Sequence, residues 1–317
     1  MLNVIILWIF SCGIELGVIV LCLLPLRFIL RRKVPRLFSY LLWGAVPVTV
    51  VASFCMKNMP VFFESVAEHS KGMHPVIISE SAVTVMKWCM VLGSVAVWSV
   101  MLVYFLRFRS YLIGSIKFRE NIYLCARIDG AFSGGLIQPK IYIPSVIGEE
   151  YREFVISHEQ VHIKRKDIWM KYLAIGLLAL FWFQPILWCA YQLFINDMEE
   201  ACDETVLRGE NMDFRANYAR TLLELSEQTR KVKGLLLGFG NGAIKERIRH
   251  AALYKKESTK LRIIAMVICM LFVLGATAIS WKFPRLVNGG QRTEITDERP
   301  LSLGTQSMDD ELIQQDE

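Results

Sequence analysis

No basic stripe with interleaved aromatics runs through this chain, and that absence removes the usual surface for nucleic acid. The 8 cysteines form no disulfide framework. Cys12, Cys22, Cys55, Cys89 and Cys269 lie in or beside apolar runs and the rest are scattered, a distribution that suits small buried apolar residues. The N-terminus has neither a basic n-region nor a clear small-residue cleavage site, so its first apolar run reads as a retained span and not a signal peptide. Charge is missing from several long stretches, and 54% of the 317 residues are hydrophobic. That concentration excludes an ordinary soluble globule and indicates a membrane protein.

Four runs have the roughly 20 apolar residues that a crossing helix needs: about Leu2–Leu24, Leu37–Met56, Ala82–Phe105 and Leu261–Trp281. Basic clusters flank them on one side. Arg27, Arg31, Arg32, Lys33 and Arg36 follow the first run, Arg107 and Arg109 follow the third, and Lys255, Lys256, Lys260 and Arg262 precede the fourth. Lys and Arg collect at cytoplasmic ends, so all three clusters put both termini outside. The loop Lys57–Ser81 and the acidic tail 283–317 are then also outside, and the tail has a disordered composition. Lys87, near one end of the third run, reads as a snorkelling residue. His69 and His74 in the outer loop read as plain loop histidines, and His250 as facing headgroups.

His158-Glu159-Gln160-Val161-His162 matches H-E-x-x-H. On a helix, positions i and i+4 share a face, so both imidazoles reach one metal ion. Zinc suits neutral imidazole nitrogen, and a catalytic zinc keeps one position for water. The ion lowers the pKa of that water, and Glu159 takes the proton as the water attacks a peptide carbonyl.

The motif lies in residues 107–260, the one segment with room for a packed domain. Short β-like runs at Asn121–Cys125 and Lys140–Ile143 precede a helix carrying Glu149 through His162. A fifth apolar run, Ile168–Ile195, is broken at Gln184-Pro185. A full crossing there would put His158 and any later ligand on opposite faces of the bilayer, so the stretch 168–202 reads as a membrane-associated helical hairpin. After it come Glu199, Glu200, Cys202, Asp203 and Glu204. A catalytic zinc needs a third ligand. Glu199/Asp203 and Glu200/Glu204 each share a helical face, one carboxylate for the metal and the other for a ligand N–H, and spacing does not choose between the pairs. Cys202 reads as a packing residue and Asp167 as the N-cap of the next helix. Tyr218 and Arg220 are candidates for stabilising an oxyanion or for packing, and Gln228–Gly242 reads as an exposed linker.

The arrangement resembles the bacterial BlaR/MecR antirepressor metalloproteases, which are membrane-embedded, gluzincin-like zinc peptidases. The resemblance covers about residues 1–282. It is carried by Gly134–Pro144, Ser157–Asp167, Trp182-Phe183-Gln184-Pro185, Met198–Glu204, Tyr218–Leu223 and Ile244–Ile248. It implies that Glu199 is the third ligand and Asp203 the carboxylate behind a ligand imidazole. Members of that family carry a penicillin-binding domain outside, after the last span. Here some 35 residues follow that span and they contain no S-x-x-K motif, so direct acylation by a β-lactam is not expected. The signal would then arrive through the outer loop, the tail or a partner, or the chain is a sensorless peptidase of the same family.

The expected fold is a mainly α membrane protein: four transmembrane helices with a cytoplasmic α+β zinc peptidase domain. Residues 1–106 would hold three spans, 107–260 the peptidase and its hairpin, and 261–282 the fourth span. The expected function is zinc metalloendopeptidase cleavage on the cytoplasmic side, with Zn2+ on His158, His162 and Glu199, Glu159 as base and Asp203 behind the ligands. The resemblance implies a cytoplasmic protein substrate, a BlaI/MecI-like winged-helix repressor and/or the chain itself. Membrane lipids are further partners, direct nucleic-acid contact is not expected, and a homodimer is compatible with the sequence. The rival readings are a non-proteolytic scaffold that binds a repressor, and a housekeeping protease for membrane proteins.

Overall fold

The structure is a computed structural model and describes residues 2–31, 34–58, 76–230, 245–249, 259–282 and 286–288. His69, His74 and His250, and most of the outer loop, the linker and the tail, lie outside the described residues.

Helix α1 (Leu2–Leu30) is uncharged along its length apart from Glu15 and Arg27. Pro35 cannot continue a helix on its N-terminal side, and α2 (Arg36–Leu41) starts directly after it. A tight 3-10 turn (Leu42–Gly44) leads into α3 (Ala45–Asn58). Ser79 caps α4 (Glu80–Tyr111) by accepting the Ala82 N–H, with Glu80 in the first turn against the positive end of the helix. Among the described residues, three helical stretches are long and apolar enough to cross a membrane: Ile5–Leu30, Arg36–Cys55 and Glu80–Tyr111. The later helix α9 (Thr259–Lys282) carries a shorter described apolar stretch, Ile263–Ala278. Most of the apolar side chains of α4 face outward, as a lipid-facing helix requires.

A four-stranded sheet follows, in the order β2 (Ile116–Arg119), β3 (Ile122–Cys125), β5 (Lys140–Pro144), β4 (Phe132–Gly134). β3 and β5 are parallel and the outer pairs antiparallel, which leaves β4 as an edge strand. Gly135 makes the turn after β4 at φ +99°, where a side chain would also strike the Gln138 carbonyl. The inner face (Ile122, Ile141, Ile143) packs on Val155 and Ile156 of α5 (Glu149–Arg165). Upstream, a separate pair joins β1 (Val76–Ile78) in parallel to β6 (Leu286–Asn288).

α5 stops at Lys166, which is left-handed at φ 59°, and α6 (Asp167–Leu180) sets off in a new direction. A turn over 181–184 returns the chain into α7 (Pro185–Leu207), with proline in the first helical turn, where its missing N–H has no cost. Both helices join α1, α2 and α9 in one core that includes Leu16, Leu23, Phe38, Leu178, Phe194 and Ala265. Gln184 Nε2 donates to the Gly13 carbonyl of α1 at 2.7 Å. Gly93 of α4 leaves no space for a Cβ, because the Trp182 ring at the hairpin tip occupies it. Helix α8 (Met212–Arg230) closes over the C-terminal end of α7 through Tyr218 and Leu222.

One face of α7 is tied to the basic loop after α1. Arg27 makes a bidentate pair with Asp197 at 2.6 and 2.7 Å, and Trp43 Nε1 donates to the same carboxylate at 2.7 Å. Arg31 and Arg36 pair with Glu200, and the Arg36 backbone N–H donates to Glu204 at 2.6 Å. These contacts use up the second carboxylate pair, so Glu200 and Glu204 point away from the histidines.

Candidate metal centre

α5 presents His158 and His162 on its buried face with their Nε2 atoms 3.1 Å apart. One turn of α7 lies opposite. Glu199 Oε2 is 3.2 Å from His158 Nε2, and its Oε1 is 3.5 Å from His162 Nε2. Tetrahedral zinc with bonds of about 2.0–2.1 Å holds neighbouring ligand atoms about 3.3 Å apart. The three side chains therefore fit one ion with little adjustment.

Both imidazoles are oriented from behind. Tyr218 has one hydroxyl proton and gives it to Asp203 Oδ1 at 2.7 Å, so His158 Nδ1–H donates to the Tyr218 oxygen at 2.8 Å. Asp203 Oδ1 itself lies 3.3 Å from that nitrogen. His162 Nδ1–H donates to Asp167 Oδ2 at 2.7 Å. These bonds put each proton on Nδ1 and turn both Nε2 lone pairs inward, as metal binding requires. Asp167 thus holds a ring and caps no helix. Lys166 occupies the cap position, and its left-handed turn brings Asp167 back beneath His162, where it is fully buried.

Arg247, in the helical segment 245–249, completes the Asp203 side. Its Nε and Nη2 donate to Asp203 at 2.7 and 2.9 Å, and Nη1 lies 3.3 Å from Glu199. Lys171 approaches Glu199 to 3.7 Å. Burial alone would raise the Glu199 carboxyl, but His162, His158 and Arg247 hold it well below the usual range. Burial likewise pushes both imidazoles down, yet contacts with Cys202, Tyr218 and Asp203 at His158, and with Glu199 and Asp167 at His162, carry them well above their ordinary value. A metal ion must therefore displace protons to bind.

Cys202, one turn beyond Glu199, is a third donor near the rings. Its thiol and the two imidazoles present ligand atoms within 4.8 Å of one another. The thiol is fully buried and donates to the His158 backbone carbonyl at 3.4 Å, and burial opposed by His158 and His162 leaves its pKa lowered. A cavity of about 170 Å³ opens beside the rings, lined by His158, Glu159, Glu199 and Arg247, by the apolar wall Phe154, Val155 and Leu222, and by Gly130 and Ala131 just before β4. Glu159 lines that cavity, and among the described residues no side chain bonds its carboxylate.

Residues 99–250 match the BlaR1 peptidase M56 family. The chain is similar to the methicillin resistance mecR1 protein of Staphylococcus aureus (strain Mu50 / ATCC 700699), 31% identical over 161 residues, which is 47% of this chain and 27% of that protein. The mecR1 protein of Staphylococcus epidermidis matches equally. The regulatory protein BlaR1 of Bacillus licheniformis is 27% identical over 126 residues, 38% of this chain and 21% of that protein. The chain carries a BlaR1 peptidase M56 match and is similar to BlaR/MecR-type proteins. It spans between a fifth and a third of the length of these curated relatives. The matched region contains His158, Glu159, His162, Glu199, Asp203 and Arg247.

Arg220, weighed beside Tyr218 as an oxyanion group, does not line the cavity. Tyr218 does line it, but its hydroxyl is committed to His158 and Asp203. Tyr40 and Arg247 had no role in the sequence reading. They act across separations of 127 and 44 residues, where spacing carries no signal.

Proposed function

We propose that this chain is a membrane-embedded zinc metalloendopeptidase working on the cytoplasmic side, in which His158, His162 and Glu199 hold the ion. The observation that carries this reading is the convergence of those three side chains beside an uncommitted Glu159 on an open cavity. When bound, the ion supplies Lewis acidity, polarising the scissile carbonyl and easing loss of a proton from water. Glu159 takes that proton and delivers it to the leaving amide nitrogen. Asp203 and Asp167 keep the imidazole nitrogens aimed, and Arg247 neutralises the buried carboxylates around them. Glu199 is favoured over Cys202 as third ligand because it borders the cavity and is 21% exposed, whereas Cys202 is fully buried and does not line the cavity. The substrate would lie extended along the free edge of β4, where Gly130 and Ala131 border the same cavity.

The orientation rests on two contacts. Arg27, Arg31 and Arg36 contact the helix carrying Glu199, which supports a site at the basic, cytoplasmic end. The β1–β6 pair joins the start of α4 to the residues after α9, which supports the reading that those two points share one side. The substrate class follows from the family: a BlaI/MecI-like winged-helix repressor, the chain itself, or both, in a response of the kind that the names of the methicillin-resistance relatives record. Co-expression with the repressor encoded nearest its gene tests this. Wild type should cleave the repressor and Glu159→Gln should not, while both retain metal. Cleavage that survives Glu159→Gln rules out this mechanism.

A further inference from the structure

One phenol links the second apolar stretch directly to a carboxylate behind a metal-site imidazole. Tyr40 belongs to α2, at the basic end of the second apolar stretch. Its ring is buried, stacked on Phe194 of α7 with centroids 5.8 Å apart, and the Arg165 guanidinium lies over it at 4.7 Å. Its hydroxyl donates to Asp167 Oδ1 at 2.9 Å, and Asp167 Oδ2 accepts from His162 Nδ1 at 2.7 Å. The carboxylate thus has one oxygen for the imidazole and one for the membrane helix. Arg165 Nε stands 3.5 Å from the oxygen that Tyr40 also uses. Asp167 sits on the left-handed turn at Lys166, so its own backbone leaves it no helical cap to make, and Tyr40 fixes which way the carboxylate faces.

Resting on the proposed metal site, we propose that Tyr40 is a positioning residue for His162, so that a side chain of the second membrane helix helps set the affinity of the metal centre. Outer partners of metal-binding histidines are worth about 10–100-fold in metal affinity. Tyr40 stands one bond further out, and its loss is expected at the lower end, about tenfold. The coupling is reciprocal: whatever displaces α2 weakens the site, and metal loading favours the placement of α2 seen here.

The test compares wild type, Tyr40→Phe, Tyr40→Leu and His162→Ala as full-length chains in lipid nanodiscs. Zinc affinity is measured by chelator competition and site geometry from the visible spectrum of the cobalt(II) form. Tyr40→Phe removes one oxygen and keeps the stack on Phe194. It should bind zinc about tenfold more weakly, with an altered cobalt spectrum and unchanged thermal stability without metal. Tyr40→Leu should show the same loss of affinity plus a lower melting temperature. A Tyr40→Phe chain with wild-type zinc affinity and an unchanged cobalt spectrum overturns the proposal. His162→Ala checks the site beneath it: if zinc binding survives that change, the metal-centre reading itself has failed, independently of Tyr40.

Discussion

Three carboxylates around the two imidazoles illustrate how environment separates chemically similar side chains. Glu159 is left open to the cavity, Glu199 is held ionised beside two imidazoles, and Asp167 is fully buried between a phenol and a ring nitrogen. Only the first is available to move a proton. Glu159→Gln should therefore leave zinc affinity within about twofold while lowering peptide cleavage by the 10²–10⁴-fold typical of a lost general base; equilibrium dialysis beside a cleavage assay checks both. Metal affinity should also depend on pH with a definite sign. Both imidazoles are raised well above their ordinary value without metal, so protons compete with the ion through neutrality. Affinity should rise between about pH 6 and pH 8 and fall as the rings take up protons below that range. A flat or inverted profile in a chelator titration would remove the histidines from the ligand set.

The elements around the site differ in how far the sequence revealed them. The H-E-x-x-H helix was legible because its chemistry is local, two rings one turn apart. The hairpin was legible from Gln184-Pro185 and from the need to return a ligand to the same side. The choice of Glu199 over Glu200 was not legible from spacing, because it is made by Arg31 and Arg36, which draw Glu200 to the opposite face. Asp167 was read as a cap because a lone Asp before a helix usually is one, and no spacing rule shows a left-handed Lys166 turning it inward. That turn makes a prediction at the same scale. Lys166→Gly should be tolerated or slightly stabilising, whereas Lys166→Val should cost about 1–2 kcal/mol in strain, read as a lower melting temperature and weaker metal binding. Gly93→Val should separate α4 from the hairpin tip, since Trp182 already fills the space. Cross-linking between cysteines placed at α4 and the hairpin would then be lost.

At the scale of the whole molecule, the helices around the site and the apolar stretches share one core, with α1 and α2 packed on α7, and α9 packed on α3. The buried Arg27–Asp197 pair, the Arg31 and Arg36 contacts and Tyr40 all bind the ligand-bearing elements to the first two apolar stretches. Breaking one partner of a buried pair typically costs about 3–5 kcal/mol, so Arg27→Met should destabilise the whole assembly more than Arg119→Ala, whose exposed pair with Glu153 contributes about 1 kcal/mol or less. The proposed orientation is open to a direct check in intact cells: Ser79→Cys should react with a membrane-impermeant maleimide and Arg119→Cys should not. The central claim, one ion shared by two imidazoles and the Glu199 carboxylate, is tested most directly by X-ray absorption at the zinc edge of the loaded chain. It predicts a shell of nitrogen and oxygen at about 2.0–2.1 Å with no sulfur, lost in His162→Ala. A sulfur scatterer at about 2.3 Å would put Cys202 in the shell, and a shell unchanged by His162→Ala would put the ion elsewhere; either result contradicts the account.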